Sequence, residues 1–173
     1  IAQDVASSTR KKGFHFSFGD YGIGNFNVQS RGKVEISDDD KDVKSISSDG
    51  YLEITKTVFG SRRSLVITPS GTGLKREYYE GRTLVPFEPE GRKWLSEILP
   101  ELVRSSTVGA ESRVNRFFRA GGAKAVTDEI SRLESDYVKE AYAGLLMTQP
   151  VAARDYAMIV ANVTSTIESD HYN

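Results

Sequence analysis

Four acidic residues in the first third of the chain have the spacing of a calcium-binding loop. Asp38, Asp40 and Asp42 stand at the first, third and fifth ligand positions, and Asp49 falls at the twelfth. The sixth position is Val43, where the sharp turn of such a loop requires glycine. The alternative is a solvated acidic turn between strands, whose charges discourage edge-to-edge pairing of sheets. We therefore expect that folding requires no metal and no other cofactor.

Three arginines in the second half of the chain form a basic series. Arg113, Arg116 and Arg119 recur at every third residue, opposite the apolar residues Val114, Phe117 and Phe118. A basic helix face of this kind can bind phosphate groups or an acidic partner. The alternative is the solvated side of an amphipathic helix.

The residue types that most enzymes use for catalysis are sparse. The chain has no cysteine and only two histidines, His15 and His171. It contains no metalloprotease, P-loop, dinucleotide-binding or nucleophile-elbow motif. Two Ser-x-x-Lys matches, at 8–11 and 30–33, are not followed by a helix that would hold the lysine against the serine. The sequence favours a non-enzymatic protein, with an unrecognised hydrolase as an alternative.

Alternating apolar runs in residues 14–88 predict an antiparallel meander of about six strands. The strongest hairpin signal is Asp49-Gly50, because this pair readily adopts the positive φ angles of a type I′ turn. Residues 1–13 are polar and are expected to form a flexible lead-in. The aromatic residues of the first run are predicted to face the core: Phe14, Phe16 and Phe18.

From residue 89 onward the apolar spacing becomes helical. Residues 89–173 are predicted to form four to six helices that cover one face of the sheet, so the fold class is α+β. Trp94, Ile98 and Leu102 lie on one stripe and are expected to be buried where the two halves meet. Pro100 predicts a kink or a break in this first helix.

A short motif in the helical half occurs twice. Residues 133–137 are echoed by residues 167–171 at an offset of 34 residues, which is the length of a helix–turn–helix repeat. Gly121 and Gly122 predict a helix end, and Pro150 predicts the first residue of the last helix. The helical half is therefore predicted to begin a repeat array. Within it, one set of side chains should pack against another, namely Tyr142, Leu145 and Leu146 against Tyr156, Ala157 and Val160.

Charge and hydropathy bear on location and partners. The net charge is −1, so no large field points to nucleic acid or to an anionic membrane. No apolar run approaches the roughly 18–20 residues that a membrane helix needs. Ala2, followed by Gln3 and Asp4, resembles the junction left by signal peptidase. We expect an exported protein, periplasmic or otherwise extracytoplasmic.

Several stretches in the last two thirds of the chain carry a resemblance to a known kind of domain. They are residues 50–54, 86–88, 94–95, 98–101, 109–111, 113–114, 121–122, 125–126, 129–130 and 135–137. Through them, residues 50–173 resemble an uncharacterised bacterial envelope domain found beside membrane metallopeptidases of the β-lactam-sensor type. The peptidase motif itself is missing here.

The resemblance implies an envelope-associated sensory or scaffolding module and brings no catalytic residues. We therefore expect a non-enzymatic extracytoplasmic sensing or protein-interaction module with an unidentified protein partner. A homodimer is one form such an interaction could take. A structural or adhesive exported module is the alternative.

Overall fold

The structure is a computed structural model that describes residues 14–18 and 25–167, with side chains from residue 27 onward. Within these residues, strands precede helices, and the predicted α+β class is confirmed. The strands are β1 (Phe14–Phe18), β2 (Asn25–Arg31), β3 (Val34–Ile36), β4 (Val43–Ile46), β5 (Tyr51–Val58), β6 (Ser61–Ser70), β7 (Gly73–Glu80) and β8 (Thr83–Val85). The helices are α1 (Arg92–Ser105), α2 (Ala110–Ile130), α3 (Asp136–Met147) and α4 (Tyr156–Thr166), with short helical turns at Phe87–Gly91 and Ala153–Asp155. The side chains of Phe14, Phe16 and Phe18, the lead-in and most of the second motif copy lie outside the described residues.

Six of the strands form one antiparallel sheet in the order β1-β2-β5-β6-β7-β8, which confirms the predicted meander. β3 and β4 pair with each other as a separate hairpin. This hairpin is inserted between β2 and β5, which are neighbours in the sheet through pairs such as Arg31 with Tyr51. The chain thus leaves the sheet at the end of β2 and returns to it as β5, which pairs with β2.

The hairpin prediction at Asp49-Gly50 is wrong, because β4 and β5 belong to different sheets. A turn is present, closed by a hydrogen bond from the Gly50 amide to the Ser47 carbonyl at 2.8 Å. Glycine is required there for space: a Cβ on Gly50 would lie 2.5 Å from the carbonyl oxygen of Arg31. The glycine at position 50 therefore reflects the close approach of two backbone segments and not a type I′ hairpin.

The first core lies between the sheet, the β3–β4 hairpin and α1. Trp94, Ile98 and Leu102 are buried in it as predicted. The Trp94 ring centroid lies 5.6 Å from that of Tyr78 on β7. The buried members are Val28, Val34, Ile36, Val43, Ile46, Leu52, Ile54, Leu65, Ile67, Tyr78, Trp94, Leu95, Ile98, Leu99, Leu102, Val103 and Val108.

α1 runs without interruption through Pro100, so the helix does not break there. Proline removes one backbone donor from the helix interior. Leu99 and Leu102, on either side of it, are both fully buried against the sheet. This packing holds the helix together across the missing hydrogen bond.

A second core is formed by α2, α3 and α4 without the sheet. Its buried members are Ala110, Val114, Ala123, Val126, Ile130, Leu133, Val138, Tyr142, Leu146 and Ile159. The backbone of α2 leaves helical geometry at Gly121 and Gly122, so the predicted helix end at these glycines is confirmed as a break. Of the helices, only α1 contributes to the core of the sheet as described, whereas the sequence predicted that all of them would cover it.

α4 contacts α2 and α3 through a face that the sequence did not predict. Ile159 is the buried residue of α4, whereas Tyr156 and Val160 are 43% and 60% exposed. The predicted packing of Tyr156, Ala157 and Val160 on α3 is therefore wrong. Pro150 is not a helical residue, because the last helical segment begins three residues later.

Candidate functional site

The acidic residues and the arginines that stand out in the sequence meet at the junction of the two cores. The acidic residues lie in the β3–β4 turn, which is closed by a hydrogen bond from the Ser37 amide to the Asp42 carbonyl at 2.8 Å. Asp40 adopts a positive φ of 56° in this turn, a conformation that aspartate tolerates better than most residues. The turn thereby directs the Asp40 carboxylate at α2.

Arg113 on α2 receives this carboxylate with the geometry of a bidentate ion pair. Its Nε and one terminal nitrogen donate to the two carboxylate oxygens of Asp40 at 3.1 and 2.9 Å. The same terminal nitrogen donates to Glu129 at 2.7 Å, and the other donates to the hydroxyl of Tyr142 and to the carbonyl of Val103. One guanidinium group therefore joins the β3–β4 turn, α1, both segments of α2, and α3.

Both charged partners at the centre of this network are buried. Arg113 is 1% exposed and Glu129 is 2% exposed. Two further arginines approach the Glu129 carboxylate at longer range, Arg104 at 3.7 Å and Arg132 at 3.5 Å. Because a buried charge is costly unless it is paired and hydrogen-bonded, this arrangement stabilises the junction only as a complete set.

The pKa values of the network follow from burial and from the neighbouring charges. Burial by itself would raise the pKa of Asp40, but the hydrogen bonds and charges of Arg113 and Arg116 hold it below its ordinary value. Burial works against the charged form of Arg113, yet its carboxylate partners raise the pKa further above the ordinary range, so it stays protonated. Burial also raises the pKa of Tyr142, which keeps its hydroxyl neutral. These three shifts keep Asp40 ionised, Arg113 protonated and Tyr142 neutral over the physiological range.

The three arginines of the basic series have different surroundings. Arg116 donates to Asp40 at 2.9 Å and to the Ser37 carbonyl at 2.7 Å. Arg119 is exposed. A step of three residues turns the helix by about −60°, so the third member has rotated away from the turn that the first two contact. Arg113 is buried, whereas a solvated helix face was one interpretation of the sequence.

The four aspartates of the calcium-like spacing are used separately. Asp40 is bound to arginines, and Asp42 accepts from Arg76 and Arg92, each at 2.9 Å. Asp38 and Asp49 are exposed. Within residues 14–18 and 25–167, no group of three or more histidine, cysteine or acidic side chains is placed to hold a metal ion.

No protein family, no curated protein and no solved structure was found to match this chain. The resemblance to the envelope domain therefore stays a prediction.

An open cavity of about 430 Å³ lies beside the network, between the β2–β3 connection and the start of α2. An ion pair between Lys33 and Glu111, 2.7 Å long, is part of its wall. Its lining consists of Ser30, Arg31, Gly32, Lys33, Val34, Thr107, Val108, Gly109, Ala110 and Glu111. The lining carries no aromatic residue, so it differs from the aromatic groove that we would expect of a small-molecule sensor.

The outer face of α4 is the clearest apolar surface of the helical half. We use this name for Tyr156, Ala157, Val160, Ala161 and Thr164, which share one side of the helix and are all exposed. None of the five is charged, and four of them are apolar or aromatic. No described helix in residues 25–167 is long and apolar enough to cross a bilayer.

Sequence reasoning missed Glu129 and Tyr142, although a signal was present for the first. Glu129 lies on the helical stripe of Val126, Ile130 and Leu133, all of which are buried. A charged residue on an apolar stripe predicts a buried ionic partner, because an unpaired charge would not be tolerated there. Tyr142 carried no such signal, since tyrosine is common in cores without a charged neighbour.

Proposed function

We propose that this chain is a non-enzymatic protein-interaction module and that the outer face of α4 is its docking surface. The observation that carries the proposal is the exposure of that face: Val160 is 60% exposed and Tyr156 43% exposed, on a helix that buries Ile159 in the second core. Apolar residues grouped on one exposed face commonly mark an interaction site. Tyrosine is also enriched in the centres of protein interfaces.

The shape of the face indicates the kind of partner. Ala157 and Ala161 are one helical turn apart, so a second helix can approach α4 closely along this line. Tyr156 and Val160 stand beside them and would fill the grooves of that helix. Because the face has no charge, the partner we propose is a protein that presents an apolar or amphipathic helix.

The charged network supports an interaction role over the hydrolase alternative. Clustered titratable groups are the usual mark of a catalytic centre. Here the cluster is centred on Arg113, which is 1% exposed, and its hydrogen bonds connect four parts of the fold. Such a group serves to hold elements together.

A location in the bacterial envelope is part of the same proposal and rests on the resemblance of residues 50–173. Fractionation of host cells, with N-terminal sequencing of the native protein, tests it. A protein recovered from the cytoplasmic fraction would contradict this location and would leave the docking surface of α4 untouched.

The docking surface is tested with a photo-crosslinking amino acid placed at Val160 in the protein expressed in its host. We expect a crosslink to a distinct protein, mapped by mass spectrometry to an apolar helical segment of that protein. Two measurements support the assignment: the same residue placed at Glu140, which is exposed on α3, gives no such product, and Ala157→Glu abolishes the product from position 160.

Other outcomes would revise or refute the proposal. A crosslink from position 160 to another copy of this chain, with dimers in light scattering, would make the occupant a second copy. Equal labelling from positions 160 and 140 would mean that the face has no specific partner. Because Ala157 is exposed, its substitution should leave the thermal unfolding temperature unchanged. Loss of crosslinking in this variant would then not be due to unfolding.

A further inference from the structure

The turn between β5 and β6 carries a phenylalanine in an unfavourable position. Val58 pairs with Ser61, so Phe59 and Gly60 form a two-residue turn in which both have positive φ, 47° and 79°. Glycine and asparagine suit this conformation, whereas a bulky side chain is strained in it. The Phe59 side chain is 85% exposed and gains nothing from burial in the described fold. A strained and exposed aromatic residue at a turn tip indicates that its side chain contacts another molecule.

The fold gathers arginines around this tip from separate parts of the sequence. Arg62 and Arg63 are the second and third residues of β6, and Arg82 lies in the turn between β7 and β8 at the same end of the sheet. A hydrogen bond from the Gly81 amide to the Arg62 carbonyl, 2.7 Å long, joins the two turns. All three arginines are exposed.

Among residues 27–167, acidic compensation at this end of the sheet is slight. Glu80 lies 4.0 Å from Arg63, with both side chains about half exposed. No ion pair within residues 25–167 neutralises Arg62 or Arg82. The net charge of −1 for the whole chain conceals this local excess of positive charge.

We propose that this end of the sheet, defined by Phe59, Arg62, Arg63 and Arg82, binds the surface of an anionic lipid bilayer. The Phe59 ring enters the interfacial region, and the arginines contact lipid phosphates and acidic headgroups. The contact is peripheral. It goes beyond the proposed protein-interaction role, because it uses a different surface at the other half of the molecule.

A bilayer fits this end better than a protein partner does. A stable protein interface buries roughly 800 Å² on each side, and a projecting two-residue tip with separated arginines offers little continuous area. A lipid surface requires no matching shape: it accepts one inserted ring, and its phosphates can gather around each exposed arginine. The exposed Leu84 next to this end, 57% exposed on β8, adds a second apolar contact.

The test is co-sedimentation of the full chain with vesicles of phosphatidylcholine alone and of phosphatidylcholine mixed equally with phosphatidylglycerol. We expect binding to the mixed vesicles that weakens as salt is added, and little binding to the neutral vesicles. Arg62→Glu with Arg82→Glu should lower the partition coefficient by about 25-fold or more, since each arginine near an anionic surface contributes about fivefold. Phe59→Asn should lower it by about tenfold, through loss of the buried ring.

The controls separate binding from folding and from the α4 proposal. Phe59→Asn should raise the unfolding temperature, because asparagine relieves the strained turn; weaker binding by a more stable protein cannot come from misfolding. Lys44→Glu, which reverses one exposed charge on β4, should bind vesicles as the wild type does, and so should Val160→Glu. Failure of the wild type to sediment with the mixed vesicles, or equal binding by the double arginine variant, would overturn the proposal. A wild type that binds neutral and anionic vesicles alike would also overturn it.

Discussion

Arg113 is a buried cation whose surroundings are complete only while every partner is present. Two carboxylates, a phenol and a backbone carbonyl accept its hydrogen bonds. Its guanidinium also lies over the rings of Phe117 and Tyr142, 5.4 and 5.7 Å from their centroids. Lysine could not take its place, since a single ammonium group lacks the planar fork that reaches these acceptors together.

At this scale we first predict the cost of removing the guanidinium. Arg113→Met should lower the free energy of unfolding by about 3–5 kcal/mol, because it leaves the buried Glu129 without its closest partner. Adding Glu129→Gln should recover part of the loss by removing the stranded charge. Denaturant unfolding measures both, with Arg119→Met as the exposed control that should change stability by less than about 0.5 kcal/mol. A double variant as unstable as Arg113→Met alone would contradict the account.

The second prediction at this scale concerns acid. The folded-state pKa of Asp40 is lowered, so its stabilisation is complete above the ordinary carboxyl value of about 4 and is lost as the pH falls towards the folded-state value. The slope of unfolding free energy against pH, between about pH 5 and about pH 3, should therefore be shallower in Asp40→Asn than in the wild type. Asparagine keeps the positive φ and cannot titrate. The pKa of the exposed Asp39 carboxyl is also lowered, by the Ser37 hydroxyl and the Lys41 amide. Because these hydrogen-bond donors are neutral, Asp39→Asn should change the slope less.

The sequence pointed to individual members of this network but not to their pairing. Spacing drew attention to Asp40 and to Arg113 for different reasons, one as a metal ligand and the other as a phosphate contact. It could not bring them together, because they are separated by 73 residues and the pairing depends on how the β3–β4 hairpin leaves the sheet. Long-range placement of this kind has no local signal in a single sequence.

At the scale of elements, α4 shows why a correct helix can be assigned the wrong face. Ile159 is buried and Val163 is half-buried, whereas Tyr156 and Val160 are exposed. A helix that is apolar all round gives no periodic signal for its buried side. Two polar contacts settle its orientation: Asn162 donates to Ser131 at 2.9 Å, and Lys139 donates to the Thr166 carbonyl at 2.6 Å. By contrast, the amphipathic α1 was assigned correctly, because its polar residues occupy one side.

The third prediction tests this orientation. Ile159→Ala should lower the free energy of unfolding by about 2–4 kcal/mol, because the side chain is buried in the second core. Val160→Ala, one residue away on the outer face, should change it by less than about 0.5 kcal/mol. The two residues are adjacent in the sequence and both have branched aliphatic side chains. Thermal or denaturant unfolding measures the change in each variant. Equal losses would show that the outer face is covered within the chain.

At the scale of the whole molecule, two apolar cores meet at a junction made largely of charge. The first contains the sheet and α1, the second α2 to α4. The domain boundary expected at residue 88 divides the chain before α1, whereas packing groups α1 and Val108 with the sheet. Arg113 and Arg116 bind the β3–β4 turn of the first core to α2 of the second. We therefore expect cooperative unfolding of the two cores to depend on these ion pairs.

The fourth prediction makes this dependence measurable. Trp94, the only tryptophan, reports on the first core, and far-ultraviolet circular dichroism at the helical minimum reports mainly on α2 to α4. In the wild type the two unfolding curves should coincide. In Arg113→Met the helical signal should be lost at lower denaturant than the tryptophan signal. Coincident curves in the variant would mean that other contacts couple the cores.

The inserted β3–β4 hairpin has a consequence for the order in which the chain folds. The pairs β1–β2, β5–β6, β6–β7 and β7–β8 each join strands that are adjacent along the chain, so short loops close first and at little entropic cost. The pair β2–β5 instead closes the long segment from Arg31 to Tyr51. We therefore expect β5 to β8 to assemble before β2 docks, and the closure of this segment to set the folding rate. A shorter turn in place of residues 32–50 would speed that step. It would also delete Asp40, so the faster-folding chain would lose the ion pairs that join the β3–β4 turn to α2.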